Sequence, residues 1–259
     1  MVPALGNHDT FKADNYPDFK TGGSGHENFY DKYLEEAALA DFITGDAKEM
    51  FKKCGYYHMT KPTRRTQHED VPKIKFVVLN TNLYYHNQYD LDPVDPCDQL
   101  KWLRATLEEP LDNSTRVIVV GHVPPGFFAR DSYNMVFNVP CNGECINDEF
   151  ASIFRNKSLS SGVAAQLYGH DHLDTFRLFR DEESETVRSS VFMAASVTPA
   201  LYLNNVPMGV NPSVRIYSYD DERGIIMDYD QVICPMKAVY GIIYSTYIQN
   251  SQAGSFTVF

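Results

Sequence analysis

Short apolar runs that close on a glycine or a polar turn alternate along this chain with stretches whose apolar residues recur every three or four positions. Phe29, Tyr30, Tyr33, Leu34, Ala37, Ala38 and Phe42 fall on one helical face, which predicts an amphipathic helix over Glu27–Ile43. Lys75–Leu79 predicts a short strand. Asp98 reads as the N-cap of a helix in which Leu100, Leu103 and Leu107 share a face, with Trp102 beside them. Arg116–Gly121 is a buried strand by its unbroken apolar run. Asn147 reads as the cap of a helix over Asp148–Asn156, and Ala164–Tyr168 as the strand that follows. From Ser190 the pattern changes to strands parted by turns: Val191–Ser196, Val214–Tyr219 and Ile225–Tyr229, with Asp220–Gly224 as a hairpin turn. Residues 10–26 mix Pro, Asp, Lys and Gly and read as a long surface loop. The expectation is an α/β chain without internal repeats.

Composition narrows the class. At 259 residues and 43% hydrophobic, the chain is long enough to bury one sizeable core. Its net charge of −11 argues against nucleic acid or an anionic membrane as a standing partner. No apolar stretch approaches the length of a membrane span, so lipid contact would be peripheral. Five cysteines leave one unpaired. The run Cys141-Asn142-Gly143-Glu144-Cys145 reads either as a tight disulfide loop or as free thiols. Asn113-Ser114-Thr115 and Asn156-Lys157-Ser158 are glycosylation acceptors.

Candidate chemistry sits in three segments: Gly6-Asn7-His8-Asp9, Gly121-His122-Val123-Pro124-Pro125-Gly126 and Gly169-His170-Asp171-His172. Each sets an imidazole or an amide oxygen just after a glycine at the end of an apolar run. Neutral imidazoles with carbonyl or carboxylate oxygens suit zinc, manganese or iron. Strand ends are where open α/β sheets hold their ligands. Any one segment alone says little, since a lone His122 reads as a core histidine and Asn7 as a turn residue. Asp9 reads as the orienter of His8 or as an Asx-turn residue. His26, His58, His68 and His86 read as solvated or structural. The pairs Tyr56-Tyr57 and Tyr84-Tyr85 read as core and rim or, as the lesser alternative, as an aromatic cage for a choline or base.

In order and wording these segments resemble the calcineurin-like metallophosphoesterases. The double proline, Leu79-Asn80-Thr81-Asn82 and Asp98-Gln99-Leu100-Lys101-Trp102-Leu103 narrow the resemblance to the acid sphingomyelinase branch. Gly169–Phe176, Ala195–Pro199 and Asn211–Arg215 continue it. The resemblance implies an α/β (α+β) fold, a four-layer β-sandwich flanked by helices. Residues 1–235 would be a partial catalytic domain, and residues 236–259 the start of a C-terminal subdomain. It implies hydrolysis of a phosphodiester, lipid or nucleotide-like, at two divalent ions, expected to be zinc. Such a pair, about 3.5–4 Å apart, neutralises the diester and lowers the pKa of a bridging water. By the family pattern Asn7, His122 and His170 bind the second ion and His172 the first. His8 approaches the phosphate and Asp9 orients it. Asn80 and Asn82, near a strand end, read either as lining the substrate cleft or as hydrogen bonding a turn. A secreted or lysosomal location is expected.

The family's Asp-x-His and Gly-Asp-x-x-Asp motifs, which hold the first ion and bridge both, are not found in this sequence. The expectations that follow are a fold incomplete at its N-terminus, at most one well-held ion and weak or absent turnover. Strands left unpaired would make the chain marginally stable. The alternative is a catalytically silent short form that binds or regulates.

Overall fold

The structure, a computed structural model, describes residues 1–10, 16, 26–64, 71–85, 95–128, 137, 146–181, 183–203 and 206–236. In chain order its elements are α1 (His26–Glu36), α2 (Asp46–Cys54), β1 (Tyr57–Pro62), β2 (Lys73–Val78), α3 (Gln99–Glu108), β3 (Thr115–Val120), α4 (Ile146–Arg155) and α5 (Lys157–Ser160). Then follow β4 (Val163–Tyr168), β5 (Thr175–Arg180), β6 (Val187–Met193), β7 (Ala200–Leu203), β8 (Val206–Gly209), β9 (Ser213–Asp220) and β10 (Ile225–Ile233). The predicted helix over 27–43 breaks at Ala38, whose φ of 53° is left-handed. Only a short 3-10 turn, Leu39–Asp41, follows it. The predicted surface loop falls largely outside the described residues, as do Cys141, Cys145, His68, His86 and the stretch 237–259.

Six strands form one mixed sheet in the order β1-β2-β3-β4-β6-β5. The four inner strands run parallel, and β1 and β5 close the edges antiparallel. Parallel strands are covered on both faces and so read as continuous apolar runs. Val77, Val78, Val119, Val191 and Met193 are accordingly fully buried. One face receives α4, whose Phe150 and Phe154 pack against Phe179 of β5. The opposite face receives the β9–β10 hairpin, whose Tyr217 and Tyr229 pack on Phe192 of β6. The mixed sheet with its helices is the expected α/β fold. The expected unpaired strands do not arise, because β2 and β3 each have a neighbour on both sides. The hairpin does leave Val214, Met227 and Val232 more than half exposed.

Two caps differ from the sequence reading. The side chain of Asp98 makes no cap bond in α3; Asp95 does, accepting from the amides of Leu100 and Lys101. Asn147 lies inside α4, and its Oδ1 accepts from Gly126 N at 2.7 Å. A residue that looks like a local cap is thus a tertiary tie. The disulfide that forms among the described residues joins Cys54 to Cys97, 43 positions apart. Chain entropy makes such a cross-link worth about 4 kcal/mol.

His58 of β1 stacks on Trp102 of α3, their ring centres 6.1 Å apart. Burial first, and then the Lys75 ammonium, push its imidazolium below the usual histidine range, while Glu109 and Asp46 pull the other way. Folding therefore opposes protonation. The stability this contributes is intact above the unfolded value near pH 6.5 and is lost as pH falls from there through the lowered folded value. Thermal melts at pH 7.5 and 5.0 should show a larger drop for the wild type than for His58→Gln; equal drops would assign the acid sensitivity elsewhere.

Candidate metal centre

The three segments arrive from different parts of the chain at the carboxyl edge of the parallel strands. Gly6–Asp9 forms a tight turn, closed by Asp9 N donating to Gly6 O at 3.0 Å. Tyr16 Oη donates to Gly6 O at 2.6 Å and Tyr57 Oη to Pro3 O at 2.6 Å, so the segment is tied to the body of the protein. β3 delivers Gly121-His122. The backbone amides of His122 and Val123 both donate to Thr81 Oγ1, at 3.1 and 2.9 Å, just past the end of β2. Any side chain at Gly121 would meet Tyr168 and Thr81 at 2.7 and 2.9 Å, so glycine is what lets the strand pass. β4 delivers Gly169-His170, whose backbone turns sharply: φ is 67° at His170 and 60° at His172. Left-handed backbone is uncommon outside glycine and clusters at functional sites.

Asn7 and His122 meet directly. Asn7 Oδ1 and His122 Nε2 lie 2.8 Å apart across 115 residues of sequence. The His122 ring stands in a slot between Gly6 and Gly169, where an added methyl would sit 3.5 and 3.6 Å from it. The His170 ring is edge-on to it at 5.3 Å between centres, and Tyr85 and Phe128 pack on its other sides at 4.8 and 5.8 Å. Asn7 and His170 are 7% and 8% exposed. Two imidazoles bound to one tetrahedral ion through bonds of roughly 2.1 Å hold their ring centres about 5.2 Å apart, which is the spacing found. An amide oxygen and two neutral imidazoles, converging from three segments in a largely buried place, therefore fit a divalent ion. Among the described residues no three His, Cys, Asp or Glu gather as a metal-holding group; the third donor here is an asparagine.

His172 lies two residues beyond His170 in the same turn and is half-buried. His8 is exposed next to Asn7. The Asp9 carboxylate accepts from Gly6 N at 2.7 Å and acts on the Tyr33 hydroxyl. The Tyr33 hydroxyl is pushed well above its usual range by burial and then by that charge. Asp9 thus serves the turn on which His8 stands, and its described contacts do not include the His8 ring.

Asn80 and Asn82 are not cleft residues. Both are fully buried. Asn80 Nδ2 donates to Cys54 O and its Oδ1 accepts from Asn82 Nδ2, each at 2.9 Å, while Asn82 Nδ2 also reaches Leu5 O at 2.9 Å. Gln99 bonds the backbone of Asn80 at both N and O, at 2.7 and 3.2 Å. The network joins the end of β2 to α2, to α3 and to the segment that carries Asn7. Sequence reasoning assigned no partner to Thr81 or Asp171 and did not single out Arg177. Arg177 of β5 donates to the carbonyls of Pro125 and Phe127 and to Asp171 Oδ2. Burial lowers its pKa and the Asp171 charge opposes this. A polar residue with long-range partners leaves no periodic signal.

The mixed sheet with its helices, and histidines at the carboxyl ends of its strands, is consistent with a metallophosphoesterase α/β fold. No family model matches the chain. Over most of its length the chain is similar to curated acid sphingomyelinase-like phosphodiesterases. Sphingomyelinase phosphodiesterase C of Dictyostelium discoideum is 31% identical over 238 residues, 89% of this chain and 48% of that protein. Cyclic GMP-AMP phosphodiesterase SMPDL3A of Homo sapiens is 29% identical over 230 residues, 88% of this chain and 45% of its own length. Acid sphingomyelinase-like phosphodiesterase 3b of Homo sapiens is 31% identical over 223 residues, 85% and 44%. The chain spans less than half the length of these relatives.

Proposed function

We propose that this chain carries part of the active site of a metal-dependent phosphodiester hydrolase, with Asn7, His122 and His170 holding one divalent ion, expected to be zinc. The observation that carries the reading is the meeting of the Asn7 amide, the His122 ring and the His170 ring across more than a hundred residues of sequence. A divalent ion held there would neutralise phosphate charge and acidify water. The chain's own contribution is to hold three neutral donors in place and to present His8, exposed beside Asn7, to the substrate. There an imidazole can donate a proton to the departing oxygen. His172, in the same turn as His170, would be a ligand to a second ion. The relatives' names point to two substrate chemistries, a cyclic dinucleotide and a sphingolipid headgroup diester. The Cys54–Cys97 disulfide favours an oxidising, secretory route.

The test is zinc titration of the chain by calorimetry, paired with hydrolysis of bis(p-nitrophenyl) phosphate. One zinc per chain and slow or undetectable hydrolysis are expected. Absence of zinc binding would remove the metal reading. Fast zinc-dependent turnover would show that the second ion is held after all.

A further inference from the structure

The two histidine-bearing loops do not pack on each other by chance contact; one side chain stands between them. Arg177 projects from β5, an edge strand that contributes none of the candidate ligands. Its Nη1 donates to Pro125 O, and its Nη2 donates to both Phe127 O and Asp171 Oδ2, the last at 3.1 Å. The guanidinium and its stem run over Gly126, where an added methyl would lie 3.7 Å from Arg177 Cδ and Nη1. Gly126 itself has a φ of 88° and gives its amide to Asn147. Asp171 is fully buried and lies between His170 and His172, both with left-handed backbone.

We propose that Arg177 is the positioning residue of the metal centre, a clamp whose planar fork sets the His122 loop against the His170–His172 turn and so fixes the spacing of their imidazoles. This rests on the metal reading above and adds to it a residue that touches neither ion nor substrate. The physical reason for arginine is the fork. Three acceptors from two loops converge on one rigid planar group, and two of them are carbonyls whose direction is set by a proline and a left-handed glycine. A lysine offers one point charge and can serve one loop at a time. The buried Asp171 carboxylate gives the clamp its direction, since a charge held out of water is stable only beside its partner. Because His170 and His172 occupy a left-handed backbone conformation that side-chain-bearing residues seldom adopt, the turn between them needs an external anchor, and the Asp171–Arg177 pair is such an anchor.

The experiment compares wild type with Arg177→Met, Arg177→Lys, Asp171→Asn and the Arg177→Met/Asp171→Asn double variant. It reads two things: hydrogen exchange in the metal-free chain, and zinc affinity by competition with a chromogenic chelator. Methionine keeps the stem packed over Gly126 and removes only the fork. The Gly126 and Asp171 amides, bonded to Asn147 and to Gly169 O, should exchange at least tenfold faster in Arg177→Met, and zinc affinity should fall about 10–100-fold. Arg177→Lys should recover part of the affinity, and the double variant should lose no more than the worse single one, because either change already breaks the same clamp. Unchanged exchange at both amides, or wild-type zinc affinity in Arg177→Met, overturns the clamp. Should Arg177→Met fail to fold, Arg177→Lys and Asp171→Asn decide by the same two readouts. Should the wild type bind no zinc, the metal reading fails and exchange alone judges the clamp.

Discussion

His122→Ala is expected to abolish measurable zinc binding while leaving the fold in place. His122 Nε2 sits 2.8 Å from Asn7 Oδ1, and its ring lies 5.3 Å from that of His170, so it is the donor shared by both halves of the proposed site. Loss of a group that merely orients a ligand typically costs 10–100-fold in affinity. Removing the central one of three ligands should cost more than that, because two donors seldom hold an ion against water. The fold should tolerate the change, since the loop is carried by the amides of His122 and Val123 on Thr81 and not by the ring. Calorimetric titration with zinc and a thermal melt measure the two halves of the claim. A variant that binds zinc as the wild type does would show that the trio is not the site. His8→Ala provides the contrast: zinc affinity within about twofold, and a 10²–10⁴-fold loss of diester turnover in a protein with the complete site, the range of a general acid.

Asn80→Ala should be the most destabilising single truncation outside the apolar core. Its side chain is fully buried and bonds Cys54 O and Asn82 Nδ2 at 2.9 Å each. Alanine leaves a buried carbonyl and a buried amide short of partners, each costing about 1–3 kcal/mol, and opens a small cavity. The sum is about 3–5 kcal/mol, which for a domain of this size is a fall in Tm of roughly 6–20 °C. The effect should spread, because Asn82, released from Asn80, also holds Leu5 O and with it the segment bearing Asn7. Asn80→Asp would keep the shape and lose the donor to Cys54 O, and should be nearly as damaging. A Tm within 2 °C of wild type for Asn80→Ala would mean that Gln99, already bonded to the Asn80 backbone at both N and O, carries the junction alone.

Three of the four inner strands were legible before the structure because burial on both faces demands an unbroken apolar run: Lys73–Val78, Thr115–Val120 and Val163–Tyr168 each lie within two residues of the expected range, whereas β6 starts four residues before the expected Val191. β5 was not, since its alternation of Thr, Phe, Arg, Leu, Phe and Arg carries the signal of a half-covered edge whose apolar Phe176 and Leu178 face outward. The Asp220–Gly224 turn was legible from local chemistry alone: Asp220 Oδ1 accepts from the amides of Glu222 and Arg223, and Gly224 supplies φ of 69°.

For the proposed site, residue types in short segments were enough to offer Asn7, His122 and His170 as candidates, because ligand chemistry and the glycine before each donor are properties of a short segment. What those segments could not contain is how polar side chains spend their bonds. Asn80 and Asn82 look like cleft residues, and Asp98 and Asn147 like caps, since an amide or carboxylate has the same local preferences whether its partner is three residues away or twenty. Only the packed chain decides that Asn147 holds Gly126, that Asn82 holds Leu5, and that Arg177 reaches two loops at once. Sequence by itself determined the periodicity of burial and the identity of the donors, because both depend on neighbours along the chain. The tertiary structure decided which donors meet, because a hydrogen bond or an ion pair is set by direction and distance in space, and neither is written in spacing along the chain.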